Sequence, residues 1–154
     1  MLTINKGPGQ RVLELGGGQN RNPAADVNVD VRSGPGVDFC VDFDKPDWPI
    51  GSNEFDCVFS HFALEHVCWR NTRQAVKEIY RATKPGGKAV IIVPNTEAQV
   101  RWIRDHPDGW DGKGFFESAS ENLFGSQDYG ENAHKSYWSP SAIDPPNFSP
   151  PTPA

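Results

Sequence analysis

Val12-Leu13-Glu14-Leu15-Gly16-Gly17-Gly18 is a short apolar run that empties into three glycines, and two more apolar runs close behind it end on acids, Asp30 and Asp42. Glycines at a strand exit let backbone approach a ligand, while a carboxylate at the end of a neighbouring strand can accept from hydroxyls or an amine. The arrangement predicts a parallel sheet with a nucleoside pocket at its carboxyl edge.

Outward from that stretch, Asp26 to Val31 and Val37 to Phe43 alternate with period two and read as strands, and Phe55 to Ser60 is a fourth after the turn Gly51-Ser52-Asn53-Glu54. Lys88 to Val93, rich in β-branched residues, reads as a fifth strand buried on both faces. Between the last two, the spacing predicts a helix over Thr72 to Thr83, with Ala75, Val76, Ile79, Tyr80 and Thr83 on its apolar face. Asn71 and Gln74 suit a capping box, and Lys84-Pro85-Gly86-Gly87 suits a stop. A strand, a helix and a strand in succession imply a right-handed crossover. The first crossover differs, because only eight residues, Gln19 to Asp26, separate Gly18 from Val27, and Pro23 is one of them. A loop or single turn is expected there.

The 154 residues allow one domain. A net charge of -5 without any basic run argues against nucleic acid or an anionic membrane as partner. Cys40, Cys57 and Cys68 are odd in number and lack CxxC spacing, so reduced thiols are expected rather than disulfides. With no signal-like segment or apolar run of membrane length, a cytoplasmic location is expected. No HxH or HxxxH pair occurs, so no metal is assigned.

A dinucleotide fingerprint would place its third glycine at Arg21, and a phosphate loop G-x-x-x-x-G-K-[ST] is absent, so NAD and nucleotide hydrolysis are disfavoured. The ordered set Glu14-Leu15-Gly16-Gly17-Gly18, Val27-Asn28-Val29-Asp30, Val41-Asp42-Phe43, Trp48-Pro49-Ile50 before Phe55-Asp56-Cys57-Val58, Leu64-Glu65-His66-Val67 and Tyr80 to Lys88 resembles class I S-adenosylmethionine-dependent methyltransferases. It resembles their small-molecule group with a short first crossover, over Arg11 to about Asn95.

The resemblance implies an α/β, Rossmann-like methyltransferase fold with a central, mostly parallel sheet of about five strands and flanking helices, the last two strands of the family being missing or divergent. It implies S-adenosylmethionine as cofactor. Gly16, Gly17 and Gly18 would pass beneath its methionine portion, and Glu14 would steady that strand end or meet the amino group through water. Asp30 would accept from the ribose hydroxyls, and Asp42 from the adenine amine beside the Phe43 N–H. Ser60 and His61 would face the methionine and the acceptor. His61 or His66 would serve as base, where the acceptor must lose a proton.

Residues 1–143 are expected to form the methyltransferase-like domain, with core motifs in 11–95 and an aromatic segment in 96–143 that borders the substrate or covers the sheet edge. A short helix is placed at Glu97 to Arg104. Trp102, Trp110 and Trp138 read as packing over that edge, with an acceptor wall as the rival reading, and His134 reads as a solvated loop histidine. The tail 144–154, with five prolines, is expected to be disordered. Two functions follow: methyl transfer to a small-molecule acceptor, or a catalytically silent cofactor-binding module. Either leaves the fifth strand as an edge through which two copies, or a partner chain, could pair.

Overall fold

The structure is a computed structural model and describes residues 4–106 and 115–139. Its centre is one five-stranded sheet in the order β3-β2-β1-β4-β5, in which every pairing is parallel. The strands are β1 (Val12–Leu15), β2 (Val27–Asp30), β3 (Phe39–Cys40), β4 (Phe55–His61) and β5 (Thr83–Ile92). Helix α1 (Thr72–Ala82) makes the crossover from β4 to β5; α2 (Thr96–Asp105) and α3 (Phe115–Phe124) follow. No helix among the described residues is long and apolar enough to cross a membrane.

Strand β1 is central, and its four residues are all buried because neighbours flank it on both sides. The chain first builds outward through β2 and β3, then returns to the other side of β1 for β4. The strand order therefore reverses between β1 and β4, which is where open parallel sheets place ligands. The first crossover is a loop without a helix, as its length demands.

Four expectations about elements are corrected. The third strand is only two residues long. The carboxylate of Asp38 instead accepts from the Asn28 N–H at 2.7 Å, and Asp42 turns the chain by accepting from the Asp44 N–H at 3.0 Å. Asn71 does not cap α1 through its side chain, which donates to Asp44 Oδ1 at 3.1 Å. On α1, Tyr80 is exposed and Glu78 is buried in its stead. Glu78 tolerates burial because Arg81 donates to both of its carboxylate oxygens and the Trp48 N–H donates to one of them. Finally, pairing of β5 with β4 begins at Thr83 opposite Phe55 and resumes at Lys88 opposite Cys57, so Lys84 to Gly87 bulge out within the strand rather than preceding it.

The core joins Leu13, Leu15, Val29, Phe55 and Val58 of the sheet to Ala75, Ile79 and Ala82 of α1 and to Trp48. Trp138 is buried in that cluster, whereas Trp102 stacks on the His106 ring at 4.3 Å. Trp110 and the tail 144–154 lie outside the described residues. Among the described residues no sixth strand follows β5, and Val90, Ile91 and Ile92 are half-buried along that edge.

Candidate functional site

A cleft of about 630 Å³ opens at the reversal point between β1 and β4. Gly16, Gly17 and Gly18 form its floor, Asp30, Asp42 and Phe43 one wall, and Phe62, Ala63 and His66 another.

Gly16 and Gly18 have φ of 78° and 51°, the left-handed region that favours glycine. Gly16 also lies so close to Ala63 that a Cβ there would overlap the Ala63 Cβ. The loop's shape is imposed from beneath by Asn28, which is fully buried. Its Oδ1 accepts from the Gly17 N–H at 3.2 Å, and its Nδ2 donates to the carbonyls of Gly18 at 2.9 Å and Gly36 at 2.8 Å. Sequence reasoning missed this residue. The signal was present in the alternation Val27-Asn28-Val29-Asp30, which puts Asn28 on the same side of β2 as Asp30.

Asp30 accepts from the Gly18 N–H at 3.0 Å through Oδ2 and from the Arg32 N–H at 2.9 Å through Oδ1. These bonds hold the carboxylate at the edge of the glycine loop. Asp42 is more open, its side chain 42% exposed with Lys45 Nζ at 3.2 Å.

Glu14, Ser60 and His61 stand outside the cleft lining. Glu14 is buried, and its Oε2 accepts from the Asn22 N–H at 2.7 Å, tying the crossover loop to β1. Burial raises its carboxyl above the ordinary value, against the lowering effect of that hydrogen bond. Ser60 is wholly buried, and its hydroxyl has no hydrogen-bond partner among the described residues. His61 is the exposed last residue of β4, stacked on Phe62 at 4.3 Å. Strand β4 runs one residue further than expected, so the wall falls to Phe62 and Ala63. Phe62 has φ of 55° and is 52% exposed.

His66 ends a 3-10 turn, Leu64–His66, and faces the cleft with Nδ1 at 3.1 Å from the Ala133 carbonyl. Burial lowers its pKa. His134, expected as a solvated loop residue, is half-buried with its ring centroid 5.3 Å from that of His66. Glu65, His66 and His134 bring one ligand-capable atom each to within 4.8 Å of one another. The third member lies far along the chain, so local spacing could not reveal the group. Among the described residues, lining from the C-terminal part comes from Tyr129, Glu131, Asn132 and Lys135, not from Trp102 or Trp138.

A parallel sheet whose order reverses beside a glycine loop and two acids is the arrangement expected of a class I methyltransferase. A solved structure described as a "SAM-dependent methyltransferase, possible histamine N-methyltransferase" from Thermotoga maritima shares that fold. Its TM-score is 0.52 at 17% identity, with 76% of this chain and 65% of that chain covered. Residues 13–91 match the family described as methyltransferase domain, just over half of the 154 residues. The chain belongs to that family.

Among curated relatives, the demethylmenaquinone methyltransferase of Renibacterium salmoninarum is 36% identical over 100 residues, covering 54% of this chain and 41% of that protein. The protein of the same name from Paenarthrobacter aurescens is 36% identical over 99 residues, covering 54% and 38%. The chain thus spans about two fifths of the length of these relatives.

Proposed function

We propose that the chain binds S-adenosylmethionine in the cleft and transfers its methyl group to a small-molecule acceptor by in-line displacement. The observation that carries this reading is the joint presence of the Gly16 to Gly18 floor and the Asp30 and Asp42 carboxylates in one cleft, with Asp30 fixed against Gly18. A volume of about 630 Å³ suits a nucleoside cofactor with room for an acceptor. When bound, the cofactor supplies an electrophilic methyl on sulfonium, and the electron pair of the broken C–S bond stays on sulfur.

The protein's part is alignment and exclusion of water. Asp30 presents acceptors for two ribose hydroxyls, Asp42 accepts from the adenine amine beside the Phe43 N–H, and the glycine backbone lies against the methionine portion. Glu14 acts from beneath, by fixing the crossover loop. An acceptor nucleophile that must lose a proton finds His66, which faces the cleft, rather than Ser60 or His61, which stand outside its lining. The names of the relatives make a quinone-derived ring the first acceptor to assay. Three free thiols, at Cys40, Cys57 and Cys68, fit a reducing compartment, and we infer a cytoplasmic location.

A second reading is favoured by one observation, the half-buried apolar residues along the side of β5 that pairs with no strand among the described residues. It is a catalytically silent module that binds the cofactor and completes its sheet with a second copy or a partner chain. Calorimetric titration with S-adenosylhomocysteine and with NAD, followed by a methyl-transfer assay, separates these. The first reading expects S-adenosylhomocysteine to bind and NAD not to. Asp42→Ala then weakens binding by about 10- to 100-fold, and His66→Ala lowers turnover with binding unchanged. Binding without transfer to any acceptor selects the module, and no binding of either ligand removes both.

A further inference from the structure

We propose that Glu65, His66 and His134 form a binding site for one divalent cation of the zinc class, built where the 3-10 turn meets the strap Ala133 to Ser136. The binding claim stands independently of methyl transfer, since it uses only side chains at one end of the cleft.

The three ligand-capable atoms lie within 4.8 Å of one another. Around zinc, nitrogen and oxygen ligands at about 2.0–2.1 Å sit roughly 3.3 Å apart in a tetrahedron. Side-chain rotations closing no more than about 1.5 Å would complete the set. The backbone is already fixed for it. Glu65 O accepts from the Lys135 N–H at 2.7 Å and the Ser136 N–H at 3.1 Å, and Leu64 O accepts from the Ser136 hydroxyl at 3.2 Å. The two ligand-bearing segments are therefore stitched together.

The donor chemistry fits as well. A carbonyl only accepts, so the contact with Ala133 O puts the proton on His66 Nδ1 and leaves a lone pair on Nε2. Imidazole ligands oriented by a carbonyl on the other nitrogen are the usual outer support of a metal. The backbone of His134 is fixed as well, its N–H donating to the Phe124 carbonyl at 2.9 Å.

Glu65 supplies the independent observation. It is 2% exposed, and its Oε2 is buried without a hydrogen-bond partner among the described residues. A buried carboxylate calls for a cation or a proton. Burial accordingly pushes the Glu65 carboxyl up to about 7 and both imidazoles down.

Three protein ligands leave a fourth position, and His66 borders the cleft. An oxygen nucleophile could occupy that position, where the cation would raise its acidity. Ligation engages the same His66 nitrogen that could otherwise accept a proton, so the two roles are alternatives for one atom.

The test uses the full chain, stripped with a chelator and titrated calorimetrically with zinc chloride, with cobalt(II) absorption as a second readout. The proposal expects one saturable zinc per chain, micromolar or tighter, with intense visible cobalt bands of tetrahedral coordination. His134→Ala and the near-isosteric Glu65→Gln should each weaken zinc by at least about tenfold and bleach the cobalt bands while leaving the far-ultraviolet circular dichroism intact. An absence of saturable binding by the parent chain would overturn it. So would binding of equal strength in both variants, which would mark an adventitious site such as exposed His106.

Discussion

Replacing Asn28 by alanine tests whether one buried amide shapes the cofactor loop. The side chain makes three hydrogen bonds, one accepted from Gly17 and two donated to Gly18 and Gly36, and no part of it reaches solvent. Each such bond contributes about 1 kcal/mol net, so the loss sums to about 3 kcal/mol. For a domain of this size that lowers the midpoint of thermal unfolding by roughly 6–12 °C. Gly17 and Gly18 also line the cleft, so S-adenosylhomocysteine should bind about tenfold more weakly, the equivalent of about one of those bonds.

Asn28→Asp sharpens the test. It keeps the acceptor for Gly17 but loses both donations and sets a carboxylate against two carbonyls, so its destabilisation at neutral pH should match or exceed that of alanine. It should partly recover in acid, where the protonated group can donate again. Differential scanning calorimetry and isothermal titration provide both readouts. An Asn28→Ala protein that melts within about 2 °C of the parent and binds S-adenosylhomocysteine equally well would refute the account.

Two further outcomes follow from the same loop and its support. Gly16→Ala combines left-handed strain with overlap on Ala63 and should cost about 2–5 kcal/mol in urea unfolding; adding Ala63→Gly should restore about half, since it removes the overlap but not the strain. Glu14→Gln should become more stable relative to the parent as the pH rises above the ordinary carboxyl value of 4.5. The carboxyl titrates higher in the fold than in the unfolded chain, so its contribution is present below that value and lost as the pH climbs through the raised one. A gap in melting temperature that stays constant between about pH 4 and pH 7 would count against this.

The sheet was legible in the sequence wherever a strand has neighbours on both sides. Val12 to Leu15 and Phe55 to Ser60 are apolar because both faces of those strands are buried, and burial leaves a local pattern. The edge was harder to read. Val37 to Phe43 alternates like a strand, yet only Phe39 and Cys40 pair, because Asp38 and Asp42 spend their carboxylates on nearby backbone N–H groups. Tyr80 fell on the expected face of α1 by helical spacing. The buried member there is Glu78, since Arg81 and the loop at Trp48 supply its partners, and no helical pattern encodes a partner from another loop.

By itself the sequence determined the succession of strands along the chain, the short first crossover, the glycine loop and the acids Asp30 and Asp42, because each depends on residues close along the chain. Only the tertiary structure decided that Asn28 pins the floor, that Phe62 and Ala63 form the wall beyond β4, and that His134 comes to rest against Glu65 and His66. Those relations join residues through space, by burial and hydrogen bonds between segments up to 72 positions apart, as between Leu64 and Ser136, and a linear pattern has no term for such contacts.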